Sequence, residues 1–282
     1  MVLAALAVEA LPGRVQLLHV NHHLRSEAAL DEALVRRWAA QHELPLRVIH
    51  LRPCDLKAPE GLEAAARRAR YEALRRHTPD GWAAVTGHHA NDRVETLLMR
   101  LQQGAGLGGL GGPRRSHRDG AFRLLRPLLY LWRSELEVEA HRRALPFAHD
   151  ATNDDQRLDR NRLRHAVVAP WLEQAPRAPL ARSLALLDEE RQLLGTLLDE
   201  RLEGRFRETE TGWELSRSLL TEGSARLAAA LLRTCLRRSG AGRPSAAFVQ
   251  SVVRRARLPG PFSQHGEGIR LEASRTTVTW RR

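Results

Sequence analysis

Three short apolar runs, Val15–Val20, Leu46–Leu51 and Ala83–Val85, are each followed by a stretch with helical periodicity. The helical stretches read as Glu27–His42, Gly61–His77 and Arg93–Gln102. Leu30, Leu34 and Trp38 form the apolar stripe of the first, and Val94, Leu97, Leu98 and Leu101 that of the last. Strands separated by helix-length segments form a parallel sheet, because a parallel pair needs a long crossover and a helix supplies it. The order predicts an α/β fold with helices on both faces of the sheet. In such sheets ligands gather beyond the carboxyl ends of the strands. The third run ends in Thr86-Gly87-His88-His89-Ala90-Asn91-Asp92, so this polar segment lies where the fold does chemistry. Asp92 and Glu95, three apart, share a face at the start of the next helix, away from its leucine stripe.

Beyond residue 112 the pattern changes. Pro113–Gly120 is polar and basic and reads as a loop, while Phe122–Leu129 reads as extended and, with Pro127, as an edge or connection. A helix is expected over Leu131–Arg143, followed by an acidic loop (His149–Asp155) and a basic turn (Arg160–His165). Pro170, Pro176 and Pro179 mark a boundary, giving a first domain at 1–172 and a smaller, mainly helical domain at 177–282. In the second domain Leu180, Leu184, Leu187, Leu194 and Leu198 form a long stripe, through core packing or a coiled-coil seam. Helices around Arg226–Arg237 and Ser245–Arg257 follow, then a hairpin within Gly268–Arg282. Gly104-x-Gly106-x-x-Gly109 matches the dinucleotide fingerprint, but a helix precedes it where a strand is required. Its glycines suit a mobile loop, either a lid over substrate or a plain connection.

The net charge of +12 points to a polyanionic partner. Lys57 is the only lysine, so the excess is arginine, a bias that genome composition also produces. Cys54 and Cys235 have no close partner in sequence, which argues against a disulfide framework, a four-cysteine zinc site and a Cys-x-x-Cys redox pair. They read as free thiols in a reducing cytoplasm. No third and fourth ligand stands at zinc spacing near His88 and His89. No apolar run approaches the roughly 20 residues of a membrane span. The amino terminus lacks the basic start of a signal peptide and carries Glu9.

Four blocks, in order, resemble the tRNA(Ile)-lysidine synthases of the PP-loop ATP pyrophosphatase superfamily. They are His19–Arg25 (HVNHHLR), Leu62–Tyr71 (LEAAARRARY), Gly87–Gly112, and a run from Arg126-Pro127-Leu128 through Arg133 and Glu135 to Asp150, Asn153, Arg160, Asn161, Arg162 and Arg164. They span about residues 15–172. The family's Ser-Gly-Gly-x-Asp-Ser phosphate loop is not matched, and Met1-Val2-Leu3 is similar to the residues that follow it. The expectation is a start codon upstream or a defective product. Arg93 also stands where the family frequently has Gln.

The resemblance implies a Rossmann-like, adenine nucleotide alpha hydrolase-like catalytic domain. It implies ATP-dependent ligation of free lysine to C2 of the wobble cytidine of a CAU-anticodon isoleucine tRNA, through an adenylated intermediate, once the phosphate loop is present. ATP and Mg²⁺ are the implied cofactors, with Mg²⁺ held through Asp92 if the protein contributes a ligand. Asp92 and Glu95 are assigned to the lysine amine or the metal, against helix capping and dipole complementation. Arg67, Arg70 and His88 are assigned to the nucleotide, against solvated helix charges and an ordinary hydrogen-bonded imidazole. Arg133, Arg160, Arg162 and Arg164 are assigned to tRNA. At least one of the three alternating arginines is expected to pair with Asp150, Asp154 or Asp155. A homodimer is left open. The competing readings are another PP-loop tRNA-modifying enzyme, such as a thiolase, and a catalytically inactive RNA-binding remnant.

Overall fold

A computed structural model describes residues 1–24, 27–52, 62–146, 159–242 and 244–281, with the backbone alone for Glu63, Asp159 and Arg160. The chain divides into two compact units, Met1–Asp188 and Glu189–Arg282.

The first unit opens with α1 (Val2–Ala10), β1 (Leu17–Asn21), α2 (Ala28–Gln41), β2 (Leu46–His50) and α3 (Leu62–His77). Strands β1 and β2 are parallel, in register from Leu17↔Leu46 to Asn21↔His50, with α2 as the crossover. Helix α3 buries Ala65, Ala66 and Ala73, whose small side chains allow close packing and leave Arg67, Arg68 and Arg70 on the outer face. Next come β3 (Ala84–Val85), α4 (Ala90–Gln102), the single turn α5 (Leu107–Leu110), β4 (Ser116–Asp119), β5 (Phe122–Leu125) and α6 (Arg133–Arg142). Strands β3 and β5 are parallel, β4 is antiparallel to β5, and the order is β3-β5-β4.

Segment 113–120, expected as a loop, therefore contributes an edge strand. Its residues carry no apolar alternation, and all four positions of β4 are exposed. Backbone pairing to β5 makes the strand, and Gly120 (φ +59°) makes its two-residue turn at a left-handed position. The glycine-rich segment is likewise partly ordered, as α5.

The unit ends with α7 (Asp159–Leu163), a π-helical turn (Arg164–Val168), α8 (Ala169–Gln174) and the start of α9 (Arg177–Leu202). Ala90, Val94, Trp132, Leu163, Val168, Leu172 and Leu184 form a core that seats α4.

The second unit contains β6 (Phe206–Thr209), β7 (Gly212–Ser216), α10 (Ser218–Thr221), α11 (Ala225–Arg238), α12 (Ala246–Ala256), β8 (Phe262–Gly266), β9 (Ile269–Ala273) and β10 (Thr277–Trp280). The strands form one antiparallel sheet, β6-β7-β10-β9-β8. The expected terminal hairpin is β9–β10, and the sheet extends beyond it by three strands. Leu231, Leu232 and Leu236 of α11, Val249, Val252 and Val253 of α12, and Leu271, Val278 and Trp280 of the sheet share one core. Cys235 lies within it, and burial pushes its thiol up to about 12. The leucine stripe of α9 divides: Leu184 belongs to the first core, Leu198 and Leu202 to the second.

Candidate functional site

Strand β3 delivers Thr86 to His89 to the start of α4. His89 is extended (φ −130°, ψ −179°) and occupies the N-cap. Its backbone N–H donates to Asp92 Oδ2 at 2.9 Å, and its Nδ1 lies 3.6 Å from the same oxygen. Asp92 thus satisfies an amide that would otherwise be unpaired at a helix end. The carboxylate also stands at the positive end of the α4 dipole.

His88 Nδ1 lies 3.0 Å from Thr86 Oγ1. Burial pushes its pKa down to about 4, Asp92 opposes the shift, and Arg126, Arg67 and Arg70 add to it. The imidazole is therefore neutral near pH 7. Arg67 and Arg126 are joined through one hydroxyl: Arg67 Nη2 donates to Tyr71 Oη at 3.3 Å and Arg126 Nη2 to the same oxygen at 3.2 Å. The Arg67 guanidinium lies 4.9 Å from the Tyr71 ring centroid. Arg126 is 6% exposed, donates through Nη1 to Arg114 O at 2.8 Å, and its Nε has no hydrogen-bond partner among the described residues. Arg67, Arg70 and Arg126 gather at Tyr71, and with the His88 imidazole and the amino end of α4 they make an anion-receptive cluster with the Asp92 carboxylate at its edge.

On the other side of Asp92, burial also lowers the pKa of His89. Asp92 and Glu95 oppose that shift, and Arg133 and Arg164 reinforce it. Glu95 is 1% exposed and binds Arg164 through two contacts, Nε at 2.6 Å and Nη2 at 3.0 Å. The sequence had Glu95 facing a cationic substrate and Arg164 an RNA phosphate. The structure joins them to each other, and Arg164 was expected to find any internal acid among Asp150, Asp154 and Asp155. Those three aspartates and Asn153 lie outside the described residues. Arg133 is exposed, pairs with Glu137 at 2.8 Å, and donates its backbone N–H to Asn91 Oδ1 at 2.9 Å. Arg162 is exposed on α7, and Arg160 is described by its backbone alone.

Three contributors, Arg126, Tyr71 and Arg93, carry no assigned role in the sequence reading. Tyr71 gave no signal beyond its place in an arginine-rich helix. Arg93, 1% exposed, binds Asp188 Oδ2 at 2.7 Å and Leu184 O at 2.8 Å, with its guanidinium 5.1 Å from the Tyr130 ring. Tyr130 Oη donates to the same Asp188 oxygen at 3.1 Å. This group locks α4, and with it Asp92, onto the first part of α9. Among the described residues no three His, Cys, Asp or Glu side chains are grouped to hold a metal ion.

The family model described as the PP-loop domain matches residues 1–170. A tRNA(Ile)-lysidine synthase from Vibrio vulnificus (strain CMCP6) is 35% identical over 230 residues, covering 81% of this chain and 52% of the relative. Another from Symbiobacterium thermophilum is 37% identical over 238 residues, covering 79% and 49%. The chain spans about half the length of these curated relatives. A solved structure, the U34-tRNA thiolase NcsA from Methanococcus maripaludis with its [4Fe-4S] cluster, superposes with a TM-score of 0.47 at 15% identity, covering 66% of this chain and 67% of that one. The matched residues include both parallel strand pairs and the His88–Asp92 rim, and the chain belongs to the PP-loop domain family.

Proposed function

We propose that the protein, given the family's phosphate loop, ligates free lysine to C2 of the wobble cytidine of CAU-anticodon isoleucine tRNA at the expense of ATP. The observation that carries this reading is the gathering of Arg67, Arg70 and Arg126 at Tyr71, with Arg126 following the strand that pairs with β3 and with His88 and Asp92 at the β3–α4 junction. The donor set fits a polyphosphate: guanidinium forks pair with phosphate oxygens, and an uncharged imidazole can donate or accept without adding repulsion. Asp92 is the one carboxylate of this cluster, so it would hold either a magnesium ion that keeps most of its ligands as water and phosphate or the lysine ammonium. ATP would supply the activation: the C2 oxygen attacks the α-phosphate and pyrophosphate leaves, and the lysine amine then displaces AMP from C2.

The protein's own residues bind and orient. Arg67, Arg70 and Arg126 neutralise phosphate charge where it accumulates. As the partner of the lysine, Asp92 pairs with the ammonium at the helix amino end and accepts one of its protons, freeing the lone pair that then attacks C2. Glu95 fixes Arg164 beside His89 and so shapes the wall of the site. Arg133, Arg160 and Arg162 are assigned to the RNA, and the second unit, Glu189–Arg282, to further tRNA contacts. The reading places the protein in the cytoplasm with its substrates. Its test is incorporation of labelled lysine into an unmodified transcript: Asp92→Asn abolishes incorporation and leaves tRNA affinity intact. Unchanged turnover would remove Asp92 from the site.

A further inference from the structure

The β4–β5 hairpin carries charge that the site does not use. Residues 113–125 include Arg114, Arg115, Arg118 and Arg123 against a single acid, Asp119. Arg118 and Arg123 are direct partners across the antiparallel ladder, so their side chains leave the same face of the hairpin. Both are exposed. Like charges placed opposite one another weaken a strand pair. The other face is already occupied. Asp119 binds Arg75 of α3 at 2.8 Å, and the Arg75 guanidinium lies 5.0 Å from the Phe122 ring. A charged edge strand also discourages edge-to-edge aggregation. That explains Arg118, on the edge strand β4, but not Arg123, on the central strand β5 of the same small sheet.

The base of the hairpin is tied to the site. Arg126 donates its backbone N–H to Arg115 O at 2.8 Å and its Nη1 to Arg114 O, which pins the base of the hairpin to the anion-receptive cluster. The Arg118–Arg123 pair stands two residues from the rim pair Ser116↔Leu125, about 7 Å along the strands. Arg118 Nε donates to Gly120 O at 3.2 Å, which braces the side chain.

We propose that this face is an RNA-binding surface that seats the sugar-phosphate backbone of the tRNA whose wobble base enters the site. The proposal rests on the tRNA-modifying reading above. Arginine forks on a rigid hairpin suit phosphate oxygens, and a polyanion on this face removes the repulsion that the pair otherwise imposes.

The test is the salt dependence of binding to an unmodified CAU-anticodon isoleucine tRNA transcript. Arg118→Ser/Arg123→Ser weakens binding about tenfold at low salt and lowers the slope of log K against log salt by about 1.4–1.8, the release expected for two phosphate contacts. Arg118→Glu provides a second reading. It replaces a repulsive cross-strand pair with an attractive one, so Tm holds or rises while tRNA binding falls. Binding curves for both variants that superimpose on wild type would overturn the proposal. So would intact tRNA binding with loss only of adsorption to phosphatidylserine vesicles, which would make the face a membrane surface. A wild-type protein that binds no tRNA at all would contradict the proposed function itself, and the hairpin proposal with it.

Discussion

His88 joins burial to charge at a single residue. Its neutral form is favoured in the folded protein, where burial and the nearby arginines hold the pKa at about 4 against an ordinary value of 6.5. Between those values the unfolded chain binds more protons, so stability is complete above pH 6.5 and declines as pH falls toward 4. His89, also lowered by burial, acts in the same direction. Thermal unfolding is therefore expected at a lower temperature at pH 5 than at pH 7.5, and His88→Gln should flatten that dependence. A pH-independent Tm over this range would contradict the burial of both rings. Asp92 permits a separation of structure from chemistry. Asn at 92 still accepts the His89 N–H, whereas Ala does not, so Asp92→Ala should cost about 0.5–2 kcal/mol of stability and Asp92→Asn much less. Calorimetry on the two variants checks this; equal losses would remove the cap. The strand-end placement of His88 and Asp92 was legible in the sequence, because a short apolar run followed by an amphipathic stripe fixes where a strand stops. The partner of Glu95 was not, because nothing local links it to Arg164, 69 positions away.

At the scale of elements, α4 is held at both ends of its first turn. Asp92 caps it, and Arg93 anchors it to α9 through Asp188 and Leu184 O. Both members of the Arg93–Asp188 pair are buried, so removing one leaves a charge without compensation. Asp188→Ala is expected to destabilise the first unit by about 3–5 kcal/mol, while Arg93→Met/Asp188→Leu recovers most of the loss. Denaturant unfolding of both variants measures it; a double variant no more stable than Asp188→Ala would show that the pair is not the dominant link. In the second unit Arg217 is 5% exposed and donates to the carbonyls of Ala256, Leu258, Gly260 and Ser274 at 2.5–2.9 Å. Lysine lacks the planar fork needed to serve four acceptors. Arg217→Lys should therefore leave buried carbonyls unpaired and lower the stability of this unit by about 1–3 kcal/mol. Far-UV circular dichroism during urea titration reports it, and a wild-type midpoint would contradict the clamp. Helices with long apolar stripes were readable to within a few residues. Strand β4 was not, because its residues are all exposed and only the pairing with β5 defines it. Strands β6, β7 and β8 escaped for a related reason, being short and mixed in composition.

For the whole molecule, net positive charge alone did not distinguish an RNA partner from compositional bias. The structure sorts some of the arginines by what they touch. Arg93, Arg164 and Arg217 are internal, Arg67 and Arg126 meet at Tyr71, and Arg118 and Arg123 share the exposed face of a hairpin. In chemical terms the central claim is that the rim beyond β3 joins an amino acid to an activated base on tRNA. The most direct measurement is transfer of labelled lysine to an unmodified CAU-anticodon isoleucine tRNA transcript by the purified protein bearing the family's phosphate loop, with and without ATP and Mg²⁺. The account predicts label that requires ATP and disappears in Asp92→Asn while tRNA affinity is kept. Label that forms without ATP, or that Asp92→Asn incorporates as fast as wild type, would contradict it.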